Sequence, residues 1–160
     1  MTDQALEPRW LDERELDTWM RFLAVSFLLP AALEHRMQRA NGMSMFEYLV
    51  LAMLSEAPDR TQQLKALAKV VNGSLSRLSH VLKRLEAREW VRRSPKPGDG
   101  RVTVATLTDA GYAALAAAAP SHVEDVRSLV FDQLSTEQVD ELRAICERLV
   151  VPLTEDVDCA

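Results

Sequence analysis

Between positions 12 and 40, apolar residues recur at steps of three and four. Leu16, Trp19, Met20, Leu23 and Phe27 mark one stripe of an amphipathic helix, with Pro30 expected to kink or split it. Asn41-Gly42 reads as a turn. Ser44, with Glu47 three residues on, then forms a capping box that opens a second helix through Leu54. Pro58 and Asp59 close that connection. A third, short helix is expected over 62–70, with Leu64, Leu67, Ala68 and Val71 facing inward, and Asn72-Gly73 makes another tight turn. The fourth helix starts at the N-cap Ser74, with Leu75, Leu78, Val81, Leu82 and Leu85 within about 100° of one another around its axis. After Trp90 the period changes to two, which predicts short strands over 91–94 and 102–107 joined by the turn-forming PKPGDG. Thr108 caps an alanine-rich helix expected to break at Pro120 and resume through Phe131. Ser135 and Gln138 form a second capping box, opening a last helix to about Leu149.

These elements predict a mainly α fold with a small β-hairpin wing, as a single domain over 1–160. Within it, 12–40 forms an N-terminal helix, 44–107 a helix-turn-helix followed by the hairpin, and 108–150 the C-terminal helices. A chain of 160 residues buries roughly two thirds of its unfolded surface, enough for one real core. No run of eighteen apolar residues occurs and the first ten residues are polar and acidic, so neither a membrane span nor a signal peptide is expected and the location is expected to be cytoplasmic. Cys146 and Cys159 lack the spacing of a zinc site, and free thiols are expected.

Charge sharpens the picture. The chain has a net charge of -5, yet residues 72–107 carry 8 basic and 3 acidic side chains, whereas 108–160 carry 3 and 11. A basic middle between acidic flanks is the footprint of a polyanion-binding face, although a solvated helix face with a charged loop has the same composition. On the fourth helix, Ser76, His80 and Lys83 point away from the leucines, with Arg77 and Arg84 beside them. The hairpin adds Arg92, Arg93, Lys96 and Arg101. A helix fits the major groove of duplex DNA and an arginine-tipped hairpin can reach the minor groove, so the whole is expected to be a winged helix-turn-helix that binds double-stranded DNA.

The run SLSRLSHVLKRLE (74–86), then Asp99, Gly100 and Arg101, and then Leu107, Thr108 and Gly111, resembles the multiple antibiotic resistance regulator (MarR) family of bacterial repressors. The similarity extends from Leu16 to Leu149. It implies a homodimer built from the first and last two helices, and transcriptional control relieved by a small phenolic or drug-like effector. It also implies that Ser76, Arg77, Ser79 and His80 meet the major groove, with Ser74 opening that helix. Arg101 matches the wing arginine and Asp99 the acid that orients it. Glu89 stands where relatives have glycine, so either the turn avoids a positive φ or strain is tolerated.

The remaining candidates keep two readings each. Ser76 and Ser79 contact DNA or are ordinary surface serines; Arg77 and Arg101 contact DNA or are solvated or paired within the chain. Lys83, Arg84, Arg92, Arg93 and Lys96 face phosphate or solvent. His35 lines an effector pocket with Trp19 and Met20, or is an ordinary histidine beside packing aromatics. Cys146 is a redox switch or, on a helix expected to be packed, an inert thiol. His35, His80 and His122 are far apart, and no phosphate-binding glycine loop or nucleophile elbow is present. No catalytic site, metal or cofactor is therefore expected. A winged scaffold that has lost DNA binding and docks a protein is the rival function, and a steep salt dependence of binding separates the two.

Overall fold

The computed structural model describes residues 7–71 and 73–158. The first helix, α1 (Glu13–Asn41), begins with a capping box. The Glu15 amide donates to Asp12 Oδ1 at 2.7 Å and the Asp12 amide to Glu15 Oε2 at 3.0 Å. It ends at Gly42, whose φ of 63° only glycine adopts without strain. Of the kink or split expected at Pro30, the split does not occur, and the helix runs on through the proline. A proline removes one intrahelical donor, and the cooperatively formed turns on either side carry the helix across it.

The predicted Ser44–Glu47 box opens α2 (Met45–Glu56), which crosses the middle of the molecule. A 3₁₀ turn (Pro58–Arg60) leads to β1 (Thr61–Gln63), α3 (Leu64–Val70) and α4 (Leu75–Ala87). The strand β1 replaces the expected first turn of the third helix, because its backbone pairs in antiparallel register with the wing, Thr61 opposite Thr106 and Gln63 opposite Val104. The wing strands are β2 (Val91–Lys96) and β3 (Asp99–Leu107), so the sheet has three strands in the order β1-β3-β2. Both run further than predicted because pairing continues to Lys96 and Asp99, leaving Pro97-Gly98 as the tip. Of the expected Asn72-Gly73 turn, Asn72 lies outside the described residues.

Leu51 and Leu54 of α2, Leu67 of α3, and Leu78, Leu82 and Leu85 of α4 are wholly buried and meet in one core with Val91, Ala105 and Leu107 of the sheet. Each such side chain contributes about 1.5–3 kcal/mol. Two helices complete the chain, α5 (Asp109–Leu129), continuous through Pro120, and α6 (Thr136–Asp158). The latter starts at the predicted Ser135–Gln138 box and runs beyond the expected end. The second half of α1 is fastened along α5: Arg36 Nη1 donates to Asp125 Oδ1 at 3.0 Å and Ser128 Oγ at 2.9 Å, and Asn41 Nδ2 to Ser121 Oγ at 2.9 Å.

The first half of α1 and nearly all of α6 are left exposed by the other described residues. Met20, Val25, Phe27 and Leu28 are exposed, as is every residue over 141–154. By length and mean hydropathy (1.3 over an 18-residue window), α1 is apolar enough to cross a membrane. Its attachment to α5 and the capping charges at its start make it part of the folded unit, with an apolar face left uncovered.

Candidate nucleic-acid interface

The helix α4 is fixed from beneath and open above. Ser74 Oγ accepts the Arg77 amide at 3.2 Å, which caps the first turn. Leu78, Val81, Leu82 and Leu85 are buried. Leu75, expected among them, is half exposed instead, because the first turn projects beyond the core. Ser74, Ser76, Arg77, Ser79, His80, Lys83 and Arg84 are all exposed along the outer side. In the wing, Arg92, Lys96, Asp99 and Arg101 are exposed and Arg93 is half-buried.

The basic side chains fall into two groups. Two are held by the protein's own carboxylates. Arg84 Nε donates to Glu47 Oε1 at 3.0 Å, and Glu47 is only 3% exposed. Arg93 Nε donates to Glu86 Oε2 at 2.9 Å while its amide donates to Glu86 Oε1 at 3.1 Å, which ties the end of α4 to the start of the wing. The Arg93 hydrogen bond outweighs burial and keeps the Glu86 carboxyl below its usual range. These two arginines, read from the sequence as phosphate-facing or solvated, are braces between elements. By contrast, among the described residues no carboxylate pairs with the side chains of Arg77, Lys83, Arg92, Lys96 or Arg101. Arg77 lies over the Phe46 ring at 4.2 Å. Asp99 Oδ1 accepts the backbone amide of Arg101 at 3.2 Å, so the acid shapes the hairpin rather than gripping the guanidinium.

Sequence reasoning missed three participants. Arg88 donates to the Gly42 carbonyl at 3.1 Å and covers the Trp90 ring at 4.8 Å, joining α4 to the end of α1. Glu47 and Glu86 hold Arg84 and Arg93. The Glu86 spacing of seven residues offered a weak signal, whereas the 37 residues between Glu47 and Arg84 offered none.

Glu89 does take the left-handed conformation, with φ of 59°. Its carbonyl accepts Thr108 Oγ1 at 2.7 Å, so the turn is held from the α5 cap. Glu89→Gly is expected to raise stability by about 0.5–1 kcal/mol, since relief of the left-handed strain exceeds the added freedom of the unfolded chain. Chemical denaturation of the two proteins checks this, and an unchanged or lower midpoint contradicts it.

The three residues expected to form an effector pocket do not come together around a cavity. Trp19 stacks on Phe22 at 6.0 Å, and Trp19, Met20 and His35 are exposed. A cavity of about 810 Å³ opens instead between α1, α2 and α4, lined by Pro30, Glu34, Met45, Phe46, Arg77 and His80, among others. Cys146, expected on a packed helix, is exposed, as are its neighbours along α6. Cys159 lies outside the described residues.

Residues 43–103 match the MarR family. Most of the chain superposes on Sco3205, a MarR family transcriptional regulator from Streptomyces coelicolor solved in complex with DNA. The TM-score is 0.86, with 41% identity and 90% of each chain covered. AbsC, another MarR family regulator from that organism, is 33% identical with a TM-score of 0.83, over 96% of this chain and all of the other. The HTH-type transcriptional regulator PecS of Dickeya dadantii is 33% identical over 130 residues, 78% of this chain and 75% of PecS. A capped, outward-facing α4, a basic hairpin beside it and these likenesses agree, and the chain belongs to the MarR family of DNA-binding, winged helix-turn-helix transcriptional regulators.

Proposed function

We propose that this protein is a ligand-responsive repressor that acts in the cytoplasm as a homodimer on a pseudo-palindromic operator, with α4 in the major groove and the β2–β3 wing against the minor groove. The observation that carries this reading is the set of five basic side chains on α4 and the wing that no carboxylate among the described residues neutralises. Sco3205, the DNA-bound relative, supports it by likeness. Ser76, Arg77, Ser79 and His80 face base edges, Arg101 enters the minor groove, and Lys83, Arg92 and Lys96 meet phosphate. Arg84 and Arg93 act at one remove, as braces. Exposed apolar faces of α1 and α6 supply the dimer contact, since contiguous uncovered apolar surface of this kind marks an interface. Release by a small phenolic or drug-like effector follows from the family resemblance.

Selection of bound sequences from a random duplex pool tests the reading. Two half-sites about 10 base pairs apart are expected, one per subunit. A single asymmetric half-site, or no enrichment, refutes it. On the selected duplex, Arg77→Ala is expected to weaken binding about tenfold, the loss of one base contact. Lys96→Ala is expected to weaken all duplexes alike and to flatten the salt slope by about one. Equal loss on selected and random DNA for Arg77→Ala excludes base readout by that residue.

A further inference from the structure

We infer that Phe46, a residue of α2 and not of the recognition helix itself, is a positioning residue for sequence readout because it restrains Arg77 of α4. The inference rests on the reading of α4 as the recognition helix. The Arg77 guanidinium carbon lies 4.2 Å from the centroid of the Phe46 ring. The ring contact restrains the guanidinium, and among the described residues none of its N–H groups makes a hydrogen bond, which leaves them for a guanine edge. The same ring meets the backbone that leads into α4: a Cβ placed on Gly73 would lie 2.8 Å from Phe46 Cζ. One side chain therefore touches both the approach to α4 and its first arginine.

The seat of Phe46 is itself fixed on both sides. Its predecessor, Met45, donates its amide to Glu34 Oε2 of α1 at 2.8 Å, and its successor, Glu47, accepts Arg84 of α4 at 3.0 Å. Phe46 packs against the core, so the ring cannot follow a wandering arginine. No carboxylate among the described residues competes for Arg77. An arginine held this way loses little further freedom on docking, and this advantage is realised only where its donors find a matching base. A phosphate contact on random DNA needs the charge alone and gains little from the orientation.

The test compares Phe46→Leu, Phe46→Tyr and Arg77→Ala with the wild-type full chain. The probes are the duplex selected from the random pool and a scrambled duplex of the same length and composition. Phe46→Leu is expected to weaken binding to the selected duplex roughly twofold to fivefold, the ratio of one exposed cation–π contact, with little change on the scrambled one. Phe46→Tyr keeps the ring face and is expected to retain wild-type discrimination. Adding Phe46→Leu to Arg77→Ala is expected to cost nothing more. In the free wild-type protein, the Arg77 side-chain protons are expected to show upfield ring-current shifts by NMR, a readout independent of whether any variant folds. Equal loss on both duplexes, or unshifted Arg77 protons, overturns the inference. Loss with Arg77→Ala but none with Phe46→Leu overturns it while leaving the recognition helix in place. Loss with neither overturns it together with the reading of Arg77 as a base contact.

Discussion

Gly111→Ala is expected to destabilise the protein by roughly 3 kcal/mol and to lower its thermal midpoint by about 6 to 12 °C. Gly111 lies in the first turn of α5, where alanine would ordinarily help by about 1 kcal/mol. Here a Cβ would sit 2.1 Å from the Trp90 carbonyl oxygen and 2.7 Å from Leu107 Cδ1. The first is a backbone atom and cannot swing aside. It also accepts the Thr108 amide at 3.0 Å, while Thr108 Oγ1 accepts the Gly111 amide at 3.0 Å. Pushing Gly111 away from Trp90 thus opens the α5 cap and the base of the wing together. Gly100→Ala is the control: nothing lies within 4 Å of its added Cβ, and no comparable loss is expected. Scanning calorimetry of both variants decides the matter, and a Gly111→Ala midpoint equal to wild type would show that the junction yields.

The second large effect centres on Glu47, where Glu47→Ala is expected to cost about 2 kcal/mol and Glu47→Gln about half that. The carboxylate accepts the Ser44 amide at 2.8 Å through Oε2 and Arg84 Nε at 3.0 Å through Oε1. Alanine removes both acceptors, whereas glutamine keeps a neutral acceptor for the cap and loses the charge. The figure sits below that of a fully buried ion pair because the Arg84 side chain is 58% exposed and recovers water when released.

Acid dependence follows with a definite sign. Burial raises the Glu47 pKa, but the Ser44 amide and the Arg84 guanidinium together outweigh it and hold the carboxyl below its ordinary 4.5. A group depressed in the folded state stabilises it above the unfolded value, and that contribution disappears as pH falls through the folded one. Denaturant midpoints measured from pH 6 to pH 3 are expected to converge for wild type and Glu47→Gln on the acid side. A gap that stays constant with pH would show that Glu47 contributes packing rather than charge.

Much of the fold was readable because its signals are local. The capping boxes at Ser44 and Ser135 and the leucine stripe of α4 depend on residues three and four apart, which a helix brings together whatever surrounds it. The strand β1 was not readable, since three residues carry no period and their extended form comes from pairing with β3, more than forty residues away. The break expected at Pro120 failed, and α1 does not split at Pro30, for a related reason: local propensity gave way to continuous helix on both sides.

The binding face shows the same division. Its excess of basic residues and its placement on α4 and the hairpin were legible in composition and periodicity. Which bases remain available was not. Arg84 and Arg93 look no different in sequence from Arg77 and Arg92, yet two are neutralised by Glu47 and Glu86 and two are not. The sequence by itself determined where every helix but α3 starts, which side of α4 is apolar and which third of the chain is basic. Only the tertiary structure decided which charges point outward unpaired, that an α2 phenylalanine lies beneath Arg77, and that Glu89 bends through a positive φ. The reason is range: helix period and capping act over a turn, whereas an ion pair or ring stack depends on distances set by packing of elements tens of residues apart.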